Sequence, residues 1–249
     1  MKAEIPQEGF FFDEAKHYYY LDGKRMTGVT TILGTINKPA LVGWAARMAC
    51  DYIRKNVAYA IPAEDGGYWA IKPSTVEEAQ KAHAQKRDSA ADDGTALHSL
   101  VEGYIKDCIA QGGDARAASK EDNEDEETLG KFIDWAQDNK LRFLASEQKF
   151  YSRSMFVAGT ADFMFEKDGK RYVGDIKCKN KIWSREPMFQ CAAYSLLAEE
   201  MGEKPFDGYC VIRLKDGELE EFWSMDVEGD RKAFMACVEL YRALANWNK

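Results

Sequence analysis

The chain has 249 residues, 45% of them hydrophobic and 31% charged, with a formal net charge of −8. That balance describes a globular protein long enough to bury a sizeable core as one large domain or two small ones, and it argues against a protein that coats nucleic acid by bulk electrostatics. No run of about 18 apolar residues suggests a transmembrane helix, the Met1 to Ile5 start lacks the apolar stretch of a signal peptide, and six cysteines without a C-x-x-C pair read as reduced thiols rather than a zinc site, an iron–sulfur site or a disulfide framework, so a cytoplasmic setting is expected.

Residues 9–29, rich in Phe and Tyr, read as strands around an Asp22-Gly23 turn. Pro39 opens a helix whose spacing runs through Trp44, Met48 and Tyr52. Ser74-Thr75-Val76-Glu77 is a capping box for a helix to about Ala90. Asp93-Gly94 is expected to break that helix and Thr95 to restart one through Ala110. The acidic run 121–127 reads as a solvated loop leading into a helix whose N-terminus favours anions. From 141 onward the pattern turns to strands: 141–153, two arms around Asp168-Gly169, then a helix with Pro187 in its first turn. Two further strands flank Asp216-Gly217, and an amphipathic helix closes the chain. No repeat or Pro/Gly/Ser linker divides the sequence, which favours a single α/β domain: residues 1–140 a mostly helical elaboration with an N-terminal β-hairpin, residues 141–249 the α/β core.

The stretch GTADFMFEKDGKRYVGDIKCKN, 159–180, carries the strongest functional signal. Asp168-Gly169 between two aromatic and β-branched runs predicts a two-residue type I′ turn. Such a loop pairs 167 with 170 and sets Asp162 directly opposite Asp175. By the alternation of a strand, Thr160, Met164, Glu166, Arg171, Val173 and Lys177 share their face, while Ala161, Phe163, Phe165, Tyr172 and Ile176 point to the core. Opposed carboxylates at about 4.5 to 5.5 Å repel unless a cation lies between them. A divalent metal removes the conflict and would leave Lys177 beside it, placed to hold a water or a scissile phosphate. The alternative is two solvated aspartates on an exposed sheet.

Other pairs fall on single helix faces. His98 and Glu102 are four apart, next to the apolar Leu97, Val101 and Ile105, and read either as an ordinary buried pair or as part of a site. Gln190 and Tyr194 are likewise four apart. In chain order, GTALHSLVE (94–102), GTADF (159–163), DIK (175–177) and QCAAY (190–194) resemble the motifs of the PD-(D/E)XK nuclease superfamily, in its RecB-like exonuclease branch.

The resemblance implies a restriction-endonuclease-like core, a mixed β-sheet flanked by helices, and a metal-dependent DNA exonuclease. Asp162, Asp175, the Ile176 carbonyl and His98 would ligate Mg²⁺ or Mn²⁺. Lys177 would orient or help deprotonate the attacking water. Gln190 and Tyr194 would position the DNA strand, and Glu147 would contribute through a water or a second metal. Cys178 stands where the family usually has a hydroxyl residue, and Ala161 precedes Asp162 in place of the motif proline.

No iron–sulfur cluster is expected. Lys86, Arg87, Lys179, Lys181 and Arg185 are candidate DNA contacts, with Glu102 beside the histidine motif and Trp183 as a stacking residue for a terminal base. The expected substrate is linear duplex or single-stranded DNA, the setting recombination, repair or phage DNA metabolism in a bacterial or phage-infected cell, with a single-strand annealing protein or recombinase as partner. A structure-selective endonuclease of the same fold and a catalytically silent DNA- or recombinase-binding module are the rival readings.

Overall fold

The computed structural model describes residues 5–36, 38–61, 67–118 and 127–246; the acidic run before Glu127 lies outside the described residues. β1 (Phe10–Asp13), β2 (Tyr18–Leu21) and β3 (Lys24–Arg25) form a small antiparallel sheet. Its Asp22-Gly23 turn has φ of 48° and 74°, the two positive values that a type I′ turn requires. β4 (Thr27–Gly28) and the short α1 (Val29–Leu33) follow.

Next come α2 (Pro39–Lys55), a two-stranded sheet of β5 (Tyr59–Ile61) and β6 (Tyr68–Ala70), and α3 (Pro73–Ala110). Contrary to the sequence expectation, Asp93-Gly94 does not interrupt α3. One glycine costs a helix only about 1 kcal/mol against alanine, which intact turns on both sides can carry.

The remaining elements are α4 (Glu127–Asp138), β7 (Arg142–Ser152), β8 (Val157–Lys167), β9 (Lys170–Lys177), α5 (Glu186–Glu200), β10 (Gly208–Lys215), β11 (Glu218–Ser224) and α6 (Val227–Asn246). They build a mixed sheet in the order β11-β10-β9-β8-β4, with β7 on the other edge of β8. β9 and β10 are parallel, joined by a crossover through α5, whereas β7/β8, β8/β9 and β10/β11 are antiparallel.

Both faces of this sheet are covered. Ile32 and Leu33 of α1, Leu197 of α5, and Phe234 and Val238 of α6 pack against Met164, Val173 and Val211. On the opposite face, Val101 and Ile105 of α3 and Phe132 and Ile133 of α4 meet Phe163, Phe165, Ile176 and Ile212. The face shared with the two aspartates is therefore a second core surface, not the solvent side that simple alternation suggested. A mixed sheet with a parallel pair needs a crossover helix, and that helix covers the face which the hairpin alone leaves open.

The chain divides into two compact units, residues 37–95 and residues 1–36 together with 96–249. Residues 1–36 and 96–140 thus fall in the same unit as the main sheet. Within the smaller unit, the Tyr52 hydroxyl donates to Glu78 and Trp44 meets His83 edge to face.

Candidate metal centre

The site lies where two strands part along one edge of β8. β7 occupies the other edge from Val157 to Glu166. On the near edge, β4 pairs at Val157 and Ala158 only, and β9 pairs from Phe163 to Lys167. Residues 159–162 therefore border a gap between β4 and β9. The ladder register, Phe163 with Gly174 through Lys167 with Lys170, is the one the Asp168-Gly169 turn predicts, and Asp162 and Asp175 stand next in line. Glycine is needed at 174, where a Cβ would fall 2.2 Å from the Phe163 ring.

At the gap, side chains take over from the ladder. Asp162 Oδ2 accepts a 2.7 Å hydrogen bond from the Ile176 N–H. His98, on α3, has Nε2 3.0 Å from the Ile176 carbonyl oxygen and Nδ1 3.8 Å from Asp162 Oδ2. A carbonyl only accepts, so Nε2 carries a proton, and a neutral ring then turns the Nδ1 lone pair towards the carboxylate.

Glu147 on β7 stands opposite Asp162, flanked by the pairs Ser146–Phe163 and Gln148–Ala161. Its φ is +48° in the middle of a strand, a conformation that costs a non-glycine residue about 1 to 2 kcal/mol. Burial, then the charges of Asp162 and Glu102, push its carboxyl up to about 7.

His98, Glu147 and Asp162 are each half-buried and offer ligand atoms within 4.8 Å of one another, a group that could hold a metal ion. The donor set fits a divalent cation on physical grounds. Two carboxylates and an imidazole lone pair converge where they otherwise repel, and mixed nitrogen and oxygen donors suit Mn²⁺ while the carboxylates suit Mg²⁺.

Asp175 does not join that group. It is fully buried, and Lys177 Nζ lies 2.7 Å from its Oδ1, as a hydrogen bond, and 2.6 Å from its Oδ2. Burial raises the Asp175 pKa, opposed by Lys177 and reinforced by Asp162. For Lys177, burial alone would lower the pKa, but Asp175 and Asp162 outweigh it and hold the ammonium charged. Burial thus drives the Asp175 shift and the two carboxylates drive that of Lys177: the lysine keeps its proton, and Asp175 accepts one more readily than an ordinary aspartate. A solvated pair of aspartates is not what this chain builds.

The line continues from Lys177. Gln190 Oε1 accepts from Lys177 Nζ at 3.2 Å, and Gln190 Nε2 donates to the Tyr194 hydroxyl at 2.8 Å. Tyr194 is buried, and a Cβ at Gly159 would fall 2.6 Å from its ring, so glycine at the start of GTADF lets α5 approach β8. Tyr194, expected to position the DNA strand, braces Gln190 and, through it, Lys177.

Other expected contacts part ways. Arg185 has its guanidinium engaged by buried Asp230 at 2.8 Å and by Ser224 at 3.0 Å, which ties the start of α5 to β11 and α6. Glu102 is paired with Lys106 one turn along α3. Lys179 and Lys181 are exposed on the loop after β9. Lys86 lies in the smaller unit, and the Arg87 side chain lies outside the described ones.

Two features escaped the sequence reading. One is the left-handed backbone of Glu147, which has no sequence signature in a non-glycine residue. The other is the Tyr19 hydroxyl 2.9 Å from Thr160 Oγ1, which braces the gap from the small sheet.

No protein-family model matches the chain, and no curated protein matches it. Among solved structures it is similar to the crystal structure of SSO0001, an archaeal protein, at 11% identity over 85% of this chain and 84% of that one, with a TM-score of 0.31. A likeness that low carries no argument about either protein's function.

Proposed function

We propose that the chain is a metal-dependent deoxyribonuclease of the PD-(D/E)XK type, its mixed sheet a restriction-endonuclease-like core, acting from the ends of DNA. One observation carries this reading: a half-buried His98, Glu147 and Asp162 group shares one gap in the sheet with a largely buried ammonium, Lys177, held by Asp175. An Mg²⁺ or Mn²⁺ ion bound by His98, Glu147 and Asp162 would supply Lewis-acid stabilisation of the charge on a phosphate.

The side chains account for the remaining roles. Lys177, kept charged by two carboxylates, donates hydrogen bonds to a phosphate oxygen or to the attacking water. Because its pKa is raised, it orients and stabilises rather than removing a proton. Gln190 and Tyr194 fix the ammonium in place, and precise placement is much of what a phosphodiester hydrolase requires of its protein. Lys179 and Lys181, exposed just beyond Lys177, are suited to phosphates along the strand.

The test is hydrolysis of end-labelled linear duplex and single-stranded DNA, with matched closed circles, in Mn²⁺, Mg²⁺ or EDTA. Metal-dependent loss of linear DNA that spares circles and disappears in Asp162→Ala and Lys177→Ala is the expected result. Cutting of circles by the same site would make it an endonuclease. Absence of cleavage by the native sequence under every metal would overturn the reading.

A further inference from the structure

We infer that Trp183 is a base-stacking platform, which makes the bound substrate an unpaired strand end rather than an intact duplex; this rests on the nuclease reading above. Among the described residues Trp183 is the most exposed large hydrophobic side chain, at 78%. Displaying an indole to water forgoes the burial that ordinarily stabilises a fold.

The display is not the accident of a loose loop. The segment 178–185 starts at Lys177, the last residue of β9, and ends at Arg185, the residue capping α5, so both ends are fixed by elements that carry the site. Ile182 packs against the core beneath α5, and Arg185 is tied to Asp230 and Ser224. Ile182 and Ser184 also line a cleft with Met188 and Phe222 against β11, and Trp183, between them in sequence, is not among its lining residues. Trp183 lies six positions beyond Lys177, which limits their Cα separation to about 20 Å, a span of a few nucleotides.

The neighbouring charges select the ligand. Lys181 Nζ lies 4.6 Å from the centre of the Trp183 ring, so an ammonium already covers part of the indole. An aromatic face with Lys181 against it matches a nucleobase with its phosphate: the ring takes the base, the ammonium takes the backbone. An apolar protein partner would cover the Lys181 ammonium without supplying a counter-charge. Bases inside a duplex present edges, not faces, so a base that stacks on Trp183 is one released from the duplex interior, as at an unpaired end.

The experiment uses the full chain in EDTA with single-stranded oligonucleotides carrying 2-aminopurine at successive positions from either end. Native protein is expected to quench the fluorophore at one or two positions only. Trp183→Ala should remove that quenching and weaken single-strand binding roughly 5- to 100-fold, while Trp183→Phe retains most of both. In cleavage with Mn²⁺, Trp183→Ala should raise KM for single-stranded ends with kcat little changed, a split that a purely structural role would not give. Unchanged quenching and KM in Trp183→Ala, with native protein still cutting DNA, would overturn this inference alone. Native protein that neither binds nor cuts DNA would overturn the nuclease reading and this inference with it.

Discussion

Glu147 concentrates the strain of the site. Its backbone is left-handed within a strand, and its carboxyl faces Asp162 across the β7/β8 pair. With the folded pKa pushed up to about 7 from an ordinary 4.5, the folded state binds the proton more tightly than the unfolded chain. Stability of the metal-free protein should therefore fall as pH rises from about 4.5 to 7, with the full penalty above 7. After discounting for a half-buried group, that penalty is on the order of 2 kcal/mol. Denaturation in EDTA should show the slope, and Glu147→Gln should flatten it and stabilise the protein at pH 8. Mn²⁺ should stabilise the native sequence more at pH 8 than at pH 5. Lys177 poses the complementary case. Lys177→Met should lower kcat about 10²- to 10³-fold while Mn²⁺ affinity changes only a few-fold. Because it strands buried Asp175, it should also cost about 2 to 4 kcal/mol, which the double variant with Asp175→Asn recovers without recovering activity.

At the level of elements, the β8/β9 hairpin was the most legible part of the molecule. Asp168-Gly169 fixes the turn and the turn fixes the register, so the opposition of Asp162 and Asp175 follows from counting residues. Two consequences did not follow. Nothing local to the hairpin reveals that α5 returns over the aspartate face, because the parallel β9/β10 pairing is non-local. Nor does spacing show that Asp175 turns to Lys177 while Glu147 takes its place beside Asp162; that depends on the strand β7 and its unusual backbone. The three-residue strands β5 and β6 are too short for alternation to register. Arg185 illustrates a residue whose type suggested DNA and whose guanidinium also ties α5 to β11 and α6. Arg185→Ala leaves the Asp230 carboxylate buried beside Ser224 alone. Urea denaturation should show a loss of about 2 to 4 kcal/mol, with the salt dependence of DNA binding unchanged. Lys181→Ala should do the opposite, leaving stability within about 0.5 kcal/mol and reducing the slope of log affinity against log salt by about 1.

Across the whole molecule, composition set limits without naming a function. A net charge of −8 is compatible with the proposed DNA contact only if that contact is local, and Lys179 and Lys181, exposed just beyond Lys177, are the residues proposed for it. The change from helices to strands suggested an α/β core from residue 141, and the sheet unit also takes in residues 1–36 and 96–140, because β4 and α3 contribute an edge strand and the histidine from far away in sequence. What unites these parts is the gap between β4 and β9, where imidazole and carboxylates converge. Isothermal titration of the metal-free protein with Mn²⁺ at pH 8 tests that convergence most directly. One site is predicted for the native sequence, lost in Asp162→Ala and in His98→Ala but kept in Lys177→Met. Absence of Mn²⁺ binding by the native protein, or binding that survives both Asp162→Ala and His98→Ala, would contradict the account.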